Sequence, residues 1–154
     1  TAGELTPRLS DLAAAMAADW MPKIVAGAYS RTPQNPEEAT YAPKVEKAEA
    51  EIILTNPAKT EFNRYRAFTP APGAFMKTSV GVLKIRRAKP AEGTGAQGTV
   101  LSVSQELVVA CGEDALSLVE VQPEGKKAMS GRDFANGAHL RPGTNLIASS
   151  ETHE

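Results

Sequence analysis

Five short apolar segments follow one another between residues 74 and 122, and turn residues separate them. Strands this short cannot bury an apolar face alone, so several of them must share one core. Only 5% of the residues are aromatic, so that core has to consist of Val, Leu, Ile and Ala. The pattern predicts a mainly β fold with short helices, built around a small five-stranded barrel that is closed or half-closed. The predicted strands are Ala74–Thr78, Val82–Lys89, Thr99–Val103, Glu106–Cys111 and Ala115–Gln122.

A helical pattern precedes the predicted barrel. Apolar residues recur at helical spacing from Leu5 to Met16 and continue to Val25. Pro22 interrupts this run, so we expect two short helices with a break between about Ala13 and Pro22. Gly27 is expected to end the second helix.

The rest of the chain divides at proline-rich and polar stretches. Residues 1–27 form the helical segment, residues 28–44 are predicted to be an extended linker, residues 45–147 form the barrel-like domain, and residues 148–154 form a polar tail. Within the barrel domain, Asn56 and Pro57 predict the start of a helix that continues to about residue 68. Ser130 and Asp133 predict a last short helix that ends at Gly137.

Composition excludes some classes of protein and leaves others open. No stretch reaches the roughly 18 to 20 apolar residues that span a bilayer, and the start lacks the pattern of a signal peptide. Cys111 is the only cysteine, which excludes an internal disulfide and favours the cytoplasm. The net charge is −1, although residues 41–150 carry 14 basic against 11 acidic groups. Charge alone is therefore weak support for nucleic-acid binding.

Groups that could carry catalysis are scarce. The two histidines are His139 and His153, and Cys111 lies in an apolar segment where a structural thiol is expected. The run Gly93–Gly98 fits a glycine-rich nucleotide motif by letter, but no buried strand precedes it and no helix follows, so we expect a flexible loop. These residues predict no catalytic site.

Basic residues form the best candidate for a binding surface. Lys84 and Arg86 should share one face of a strand, with Arg87 on the opposite face. Each cation could hold a phosphate, and an ordinary solvated surface is the alternative. The candidates are Lys44, Arg86, Arg87, Lys126, Lys127, Arg132 and Arg141.

Four stretches of the chain resemble segments of one protein family. Residues 39–45, Ala-Thr-Tyr-Ala-Pro-Lys-Val, are similar to the linker between that family's two domains. Residues 66–74 resemble a family turn in which Asn and Trp usually occupy the positions of Thr69 and Ala71. Residues 121–130, Val-Gln-Pro-Glu-Gly-Lys-Lys-Ala-Met-Ser, carry the most specific match, and residues 1–27 resemble the last helical segment of the amino-terminal domain. The family is the methionyl-tRNA formyltransferases.

The resemblance implies a function for the intact enzyme. The family transfers a formyl group from 10-formyltetrahydrofolate to the methionine carried by initiator tRNA. Folate binding and catalysis belong to a Rossmann-like amino-terminal domain with an Asn, a His and an Asp, so we expect neither a catalytic residue nor a bound cofactor in this chain. The carboxy-terminal domain is an oligonucleotide-binding-type barrel that helps to hold the tRNA.

The resemblance also implies the partners and the contacting residues. The expected partners are initiator tRNA, through its phosphate backbone, and the amino-terminal domain, with no membrane. Lys44, Lys126 and Lys127 stand at positions that match the family, and the four arginines named above are further candidates for RNA contact.

Three questions stay open at the level of sequence. A related formyltransferase could act on a sugar nucleotide or another small amine, although residues 122–127 resemble the tRNA branch. The barrel could also be a purely structural buttress, which the weak net charge favours. Finally, the apolar face of residues 1–27 could support self-association of the chain.

Overall fold

The computed structural model describes residues 1–147, and the predicted polar tail, residues 148–154, lies outside the described residues. The chain divides into two compact units. One comprises residues 3–46, and the other comprises the residues from Lys47 onward together with Thr1 and Ala2. The finer boundaries predicted at residues 27 and 44 remain predictions.

One continuous helix, α1, spans Ala2–Val25, so the prediction of two short helices is wrong. An alanine-rich stretch, which has the highest intrinsic helix propensity, occupies the region of the predicted break. Pro22 removes a single backbone donor in the last turn, close to the point where the helix ends anyway. The predicted end near Gly27 is confirmed, since Ala28 N donates to Lys23 O at 2.8 Å in a Schellman-type cap.

The predicted linker contains a single helical turn. A 3-10 helix spans Pro36–Glu38, and Asn35 Oδ1 accepts a hydrogen bond of 3.1 Å from Glu37 N at its start. No other helix or strand is described between residues 28 and 46. Another 3-10 helix, Lys47–Ala50, begins the second unit.

Six strands form one antiparallel sheet in the second unit. Their order is β1-β2-β5-β4-β3, and β6 pairs with the end of β5. Five of them match the predicted strands within two residues at each end, so the mainly β prediction is confirmed. The sixth was not predicted, because two residues are too few to show an alternating pattern. The strands are β1 Phe75–Thr78, β2 Gly81–Ala91, β3 Val100–Ser102, β4 Leu107–Ala110, β5 Ala115–Pro123 and β6 Met129–Ser130.

Strand β2 continues through Pro90, beyond the predicted end of this strand at Lys89. Pro90 pairs with Leu116 of β5. Among residues 1–147, no second strand pairs with β2 at this point, since β1 pairs only with residues 81–84. The missing backbone N–H of proline is therefore tolerated, as it is at sheet edges generally.

A segment near residue 146 joins the two edges of the sheet. Leu146 O accepts a hydrogen bond of 2.9 Å from Ser79 N, directly after β1. Leu146 N donates to Gly98 O, just before β3, at 2.8 Å. Because β1 and β3 are the outer strands, these bonds curl the sheet into a half-barrel.

Aliphatic side chains fill the half-barrel, as the low aromatic content predicts. Its largest fully buried members include Met76, Leu83, Leu107, Leu118 and Leu146. Two helices of this unit complete the architecture, with α2 at Ala58–Phe68 beside β2 and α3 at Gly131–Gly137 beside β5.

Both helices lie where they were predicted, but only one of the two begins with the predicted capping residue. Ser130 Oγ accepts from Asp133 N at 3.0 Å, as predicted for α3. Asn56 was expected to cap α2, yet its side chain donates to Glu61 Oε1 at 2.9 Å and Pro57 occupies the cap position. The buried carboxylate of Glu61 thus orients that amide, and the start of α2 has no side-chain cap.

Candidate nucleic-acid interface

Basic side chains line the outer face of β2 and the turn that follows β5. In β2, Leu83 and Ile85 point into the core, so Lys84 and Arg86 between them point outward and are exposed. Lys84 pairs in register with Gln122 of β5. We call the exposed cations of this region the basic surface, which comprises Lys84, Arg86, Arg87, Lys126 and Lys127.

A pair of register shifts brings Arg87 to the same face, contrary to the prediction that it points the other way. Ile85 pairs with Val121 and Arg87 pairs with Glu120, so β2 holds one extra residue here. Ala88 then pairs with Leu118, so β5 holds one extra residue directly afterwards. A bulge of this kind interrupts the alternation of side chains. Arg86 and Arg87 are therefore both exposed, and Arg87 stands opposite the carboxylate side chain of Glu120.

The Gln122 side chain connects Arg86 to the turn that carries the lysines. Its Oε1 accepts a hydrogen bond of 3.0 Å from Arg86 Nε and a second one from Arg86 Nη2. Its Nε2 donates to the backbone O of Lys126 at 2.8 Å. One amide thus fixes the guanidinium on β2 and the backbone of the turn in a single arrangement. Sequence reasoning missed this role, because residues 86 and 122 are far apart along the chain.

The turn itself depends on a glycine. Lys126 N donates to Pro123 O at 3.1 Å, which closes a four-residue turn. Gly125 occupies its third position with a φ of 70°, a left-handed conformation that suits a type II turn and favours glycine. The turn holds Lys126 and Lys127 in exposed positions.

The remaining predicted cations are not brought to this surface by any hydrogen bond or ion pair described for residues 1–147. Arg132 is exposed in the first turn of α3. Arg141 lies in a turn next to β3, where Gly143 N donates to Val100 O at 2.8 Å. Lys44 is exposed and belongs to the other compact unit, residues 3–46.

A groove of about 610 Å³ lies beside the basic surface. We call it the lysine groove, because Lys47, Lys77 and Lys84 line it. Its apolar lining comprises Pro72, Phe75, Val82 and Pro123, and its acidic residues are Glu51 and Glu124. Sequence reasoning did not single out Lys47 or Lys77, although Lys77 occupies an outward position in the alternation of β1.

Potential metal ligands are scattered in the part of the chain that the structure describes, and the thiol of Cys111 is buried. No cluster of three metal-ligand side chains occurs within residues 1–147. Burial raises the pKa of the Cys111 thiol to about 11, and the nearby negative charge of Glu61 adds to that effect. Cys111 is thus a poor nucleophile in the folded chain. No helix within these residues has the length and apolar character needed to span a membrane.

The fold and this surface define a small barrel-like domain that exposes basic residues on the outer face of β2 and the turn after β5. Comparison with known proteins identifies its family. Residues 44–139 match the family described as formyl transferase, C-terminal domain, and the chain belongs to that family.

The curated relatives are methionyl-tRNA formyltransferases. The protein of that name from Methylobacterium sp. (strain 4-46) is 42% identical over 150 residues, which cover 95% of this chain and 48% of the relative. The one from Myxococcus xanthus is 39% identical over 145 residues, which cover 94% of this chain and 46% of the relative. The chain therefore spans about half the length of the relatives it matches.

Solved structures with the same fold include HypX from Aquifex aeolicus. One variant superposes with a TM-score of 0.62 at 18% identity, covering 82% of this chain and 23% of HypX. The complex of HypX with tetrahydrofolic acid gives a TM-score of 0.59 at 16% identity, covering 85% of this chain and 25% of HypX. At these identities the likeness establishes the fold.

Proposed function

We propose that this chain is the tRNA-binding accessory region of a methionyl-tRNA formyltransferase that acts in translation initiation in the cytoplasm. The intact enzyme transfers a formyl group from 10-formyltetrahydrofolate to methionyl initiator tRNA. We place the chemical step in the half of the enzyme that the match does not cover, and that half is the protein partner of this region.

The observation that carries the proposal is the shared anchoring of Arg86 and the Lys126 turn by Gln122. Free lysines and arginines on a surface lose side-chain entropy when they meet a phosphate. Here one amide already orients the guanidinium and the turn backbone. A guanidinium held in this way binds phosphate at a lower entropic cost. Contacts of this type position an RNA backbone without reading its sequence.

The physical role of such a surface is to raise the effective concentration of the tRNA at the active site. A separate binding region that holds the tRNA supplies part of the orientation that the reaction needs. Lys126 and Lys127 provide mobile charge next to the fixed Arg86. Arg87 belongs to the same surface, and Lys44, Arg132 and Arg141 are further residues proposed to contact RNA.

Removal of the two turn lysines tests the proposal. We expect Lys126→Ala with Lys127→Ala to weaken initiator tRNA binding and to flatten the dependence of log K on log salt concentration by about 1.4 to 1.8, since each neutralised phosphate contributes about 0.7 to 0.9. Binding is measured by fluorescence anisotropy across a salt series. Replacement of both lysines by arginine should retain the slope.

Lys59→Ala is a matched control for the loss of one charge. Lys59 is exposed in the first turn of α2, and its neighbour Ala58 donates to Glu113 O just before β5 begins. The turn with Lys126 follows the other end of β5, about 30 Å of strand away. We expect no change from this control. If the double lysine variant kept both its tRNA affinity and its salt slope, the barrel would act as a structural buttress instead.

A further inference from the structure

We propose that the lysine groove holds an unpaired nucleotide of an RNA strand, with the base on its apolar floor and the phosphate at its lysines. This proposal deepens the proposed function, on which it rests, because it names the part of the RNA that enters the protein. The basic surface beside the groove can bind the phosphate backbone of any RNA. The groove, by contrast, can accept a nucleobase only when that base is not paired with another.

The floor of the groove offers a flat apolar contact. Phe75 is half-buried and outward-facing in β1, and Pro72, Val82 and Pro123 line the same groove. The volume of about 610 Å³ lies within the ~300 to 1,000 Å³ that is typical of small-ligand pockets. Aromatic rings in such positions bind bases by stacking, with little dependence on sequence.

The charge of the groove complements a phosphate next to that floor. Lys84 pairs in register with Phe75 across β1 and β2, so the Cβ atoms of the two residues are about 5 Å apart. Lys77 is held by Glu51, with 2.8 Å between Lys77 Nζ and Glu51 Oε2. Within residues 1–147, Lys47 and Lys84 have neither an ion pair nor a hydrogen bond through their ammonium groups. They are the cations available to a ligand. Of the two acidic residues in the lining, Glu51 is paired with Lys77, and Glu124 opposes Lys47 and Lys84.

An unpaired nucleotide matches both the apolar floor and the lysines of the groove. A duplex hides the faces of its bases, so it could meet the lysines while the apolar floor stayed exposed to water. A simple phosphate would leave the same floor empty. A single-stranded nucleotide presents a flat apolar face close to a negative charge, which is the arrangement of Phe75 and Lys84.

The test compares two RNAs with the same number of phosphates, one single-stranded and one a blunt duplex. Fluorescence anisotropy with the 154-residue chain measures the affinity for each. We expect Phe75→Leu to weaken single-strand binding by about 5- to 100-fold and to leave duplex binding unchanged, since base stacking is lost and charge is not. Phe75→Trp keeps a stacking face and should retain the affinity.

Lys84→Gln tests the proposed phosphate contact of the lysine groove. Lys84 is exposed and lies outside the core, so the change should not disturb the fold. It should weaken binding of both RNAs and reduce the salt slope by about 0.7 to 0.9, whereas Lys59→Gln should change neither. The slow reaction of Cys111 with a thiol reagent confirms that each variant is folded.

Two outcomes separate this proposal from the proposed function. Equal single-strand affinity for Phe75→Leu and the unaltered chain would overturn the nucleotide site. If Lys126→Ala with Lys127→Ala still flattened the salt slope for tRNA, the docking function would stand without it. If neither change had an effect, both proposals would fall together.

Discussion

The two compact units differ most in where their apolar side chains lie. From Lys47 onward, the described chain has a continuous core, and Leu107, Leu118 and Leu146 are almost completely buried. Between residues 3 and 46 no residue is buried, and Leu9 and Met16 of α1 are more than half exposed. The half-barrel can therefore be stable through its own packing. The helix α1 contains no buried residue, so side-chain burial contributes less to it than to the half-barrel.

The largest expected loss of stability follows from removing the buried charge of Glu61 in the half-barrel. Glu61 is fully buried in α2, where it accepts hydrogen bonds from Ile53 N, Asn56 Nδ2 and Arg64 Nε. We expect Glu61→Ala to lower the free energy of unfolding by about 3 to 5 kcal/mol, because three donors lose their acceptor. Urea denaturation of the chain measures it.

The matched change in the other unit is Asp19→Ala. Asp19 pairs with Lys23 at 2.9 Å, but the side chain of Asp19 is 64% exposed and that of Lys23 is 44% exposed. An exposed pair of this kind contributes about 0 to 1 kcal/mol. Comparable losses from Glu61→Ala and Asp19→Ala would contradict the contrast between the units.

A second prediction compares two leucines. Leu118→Ala should cost about 2 to 5 kcal/mol, since it leaves a cavity in the core of the half-barrel. Leu9→Ala in α1 should change the stability of the half-barrel by less than about 0.5 kcal/mol, as an exposed position does.

The reactivity of Cys111 reports on the half-barrel alone. Cys111 is 3% exposed and its pKa is raised to about 11, so a thiol reagent at pH 8 reacts through the opened state. The Leu118→Ala loss corresponds to a labelling rate about 30- to 5,000-fold faster, when reclosing is fast. An equal acceleration in Leu9→Ala would show that the two units unfold together.

Sequence reasoning succeeded where a pattern is local and failed where packing decides. The strands were predicted within two residues because each is a short apolar run between turn residues. The break in α1 was predicted from Pro22 alone, although a proline in the last turn costs only one hydrogen bond. Arg87 was placed on the wrong face, because a bulge depends on the pairing of two strands.

The candidate site shows the same division. Lys126 and Lys127 could be named in advance, since a turn between a strand and a helix exposes its side chains. Gln122 and the lysine groove could not, because they depend on register. Residues 47, 77, 84 and 122 meet only after β1, β2 and β5 have paired.

A third prediction tests how closely α3 packs on the half-barrel. A Cβ added at Gly131 would lie 1.9 Å from the backbone O of Leu118 in β5. The helix must then move away from the sheet, so we expect Gly131→Ala to cost about 1 to 3 kcal/mol. Gly137, at the other end of α3, is the control, since an added Cβ there meets no atom within 4 Å. Gly137→Ala should be neutral or slightly stabilising in the same urea titration. A tolerated alanine at residue 131 would mean that the contact with β5 is loose.

The smallest expected effect is a pH dependence on the outer face of the half-barrel. A hydrogen bond from the Ser117 hydroxyl and contact with Lys89 hold the pKa of the Glu106 carboxyl below its ordinary value of 4.5. Because the pKa is lower in the folded chain, this carboxylate stabilises the fold above pH 4.5, and the contribution is lost as the pH falls through the folded pKa. Glu106→Gln should therefore make the stability of the half-barrel less dependent on pH below 4.5. The pH dependence of stability above pH 6 should stay unchanged. Ser117→Ala removes the largest cause of the pKa shift. It should also make stability less dependent on pH below 4.5, but by a smaller amount than Glu106→Gln. Urea midpoints measured between pH 3 and 7 provide the test, and a steeper acid limb in Glu106→Gln than in the unaltered chain would contradict the assignment.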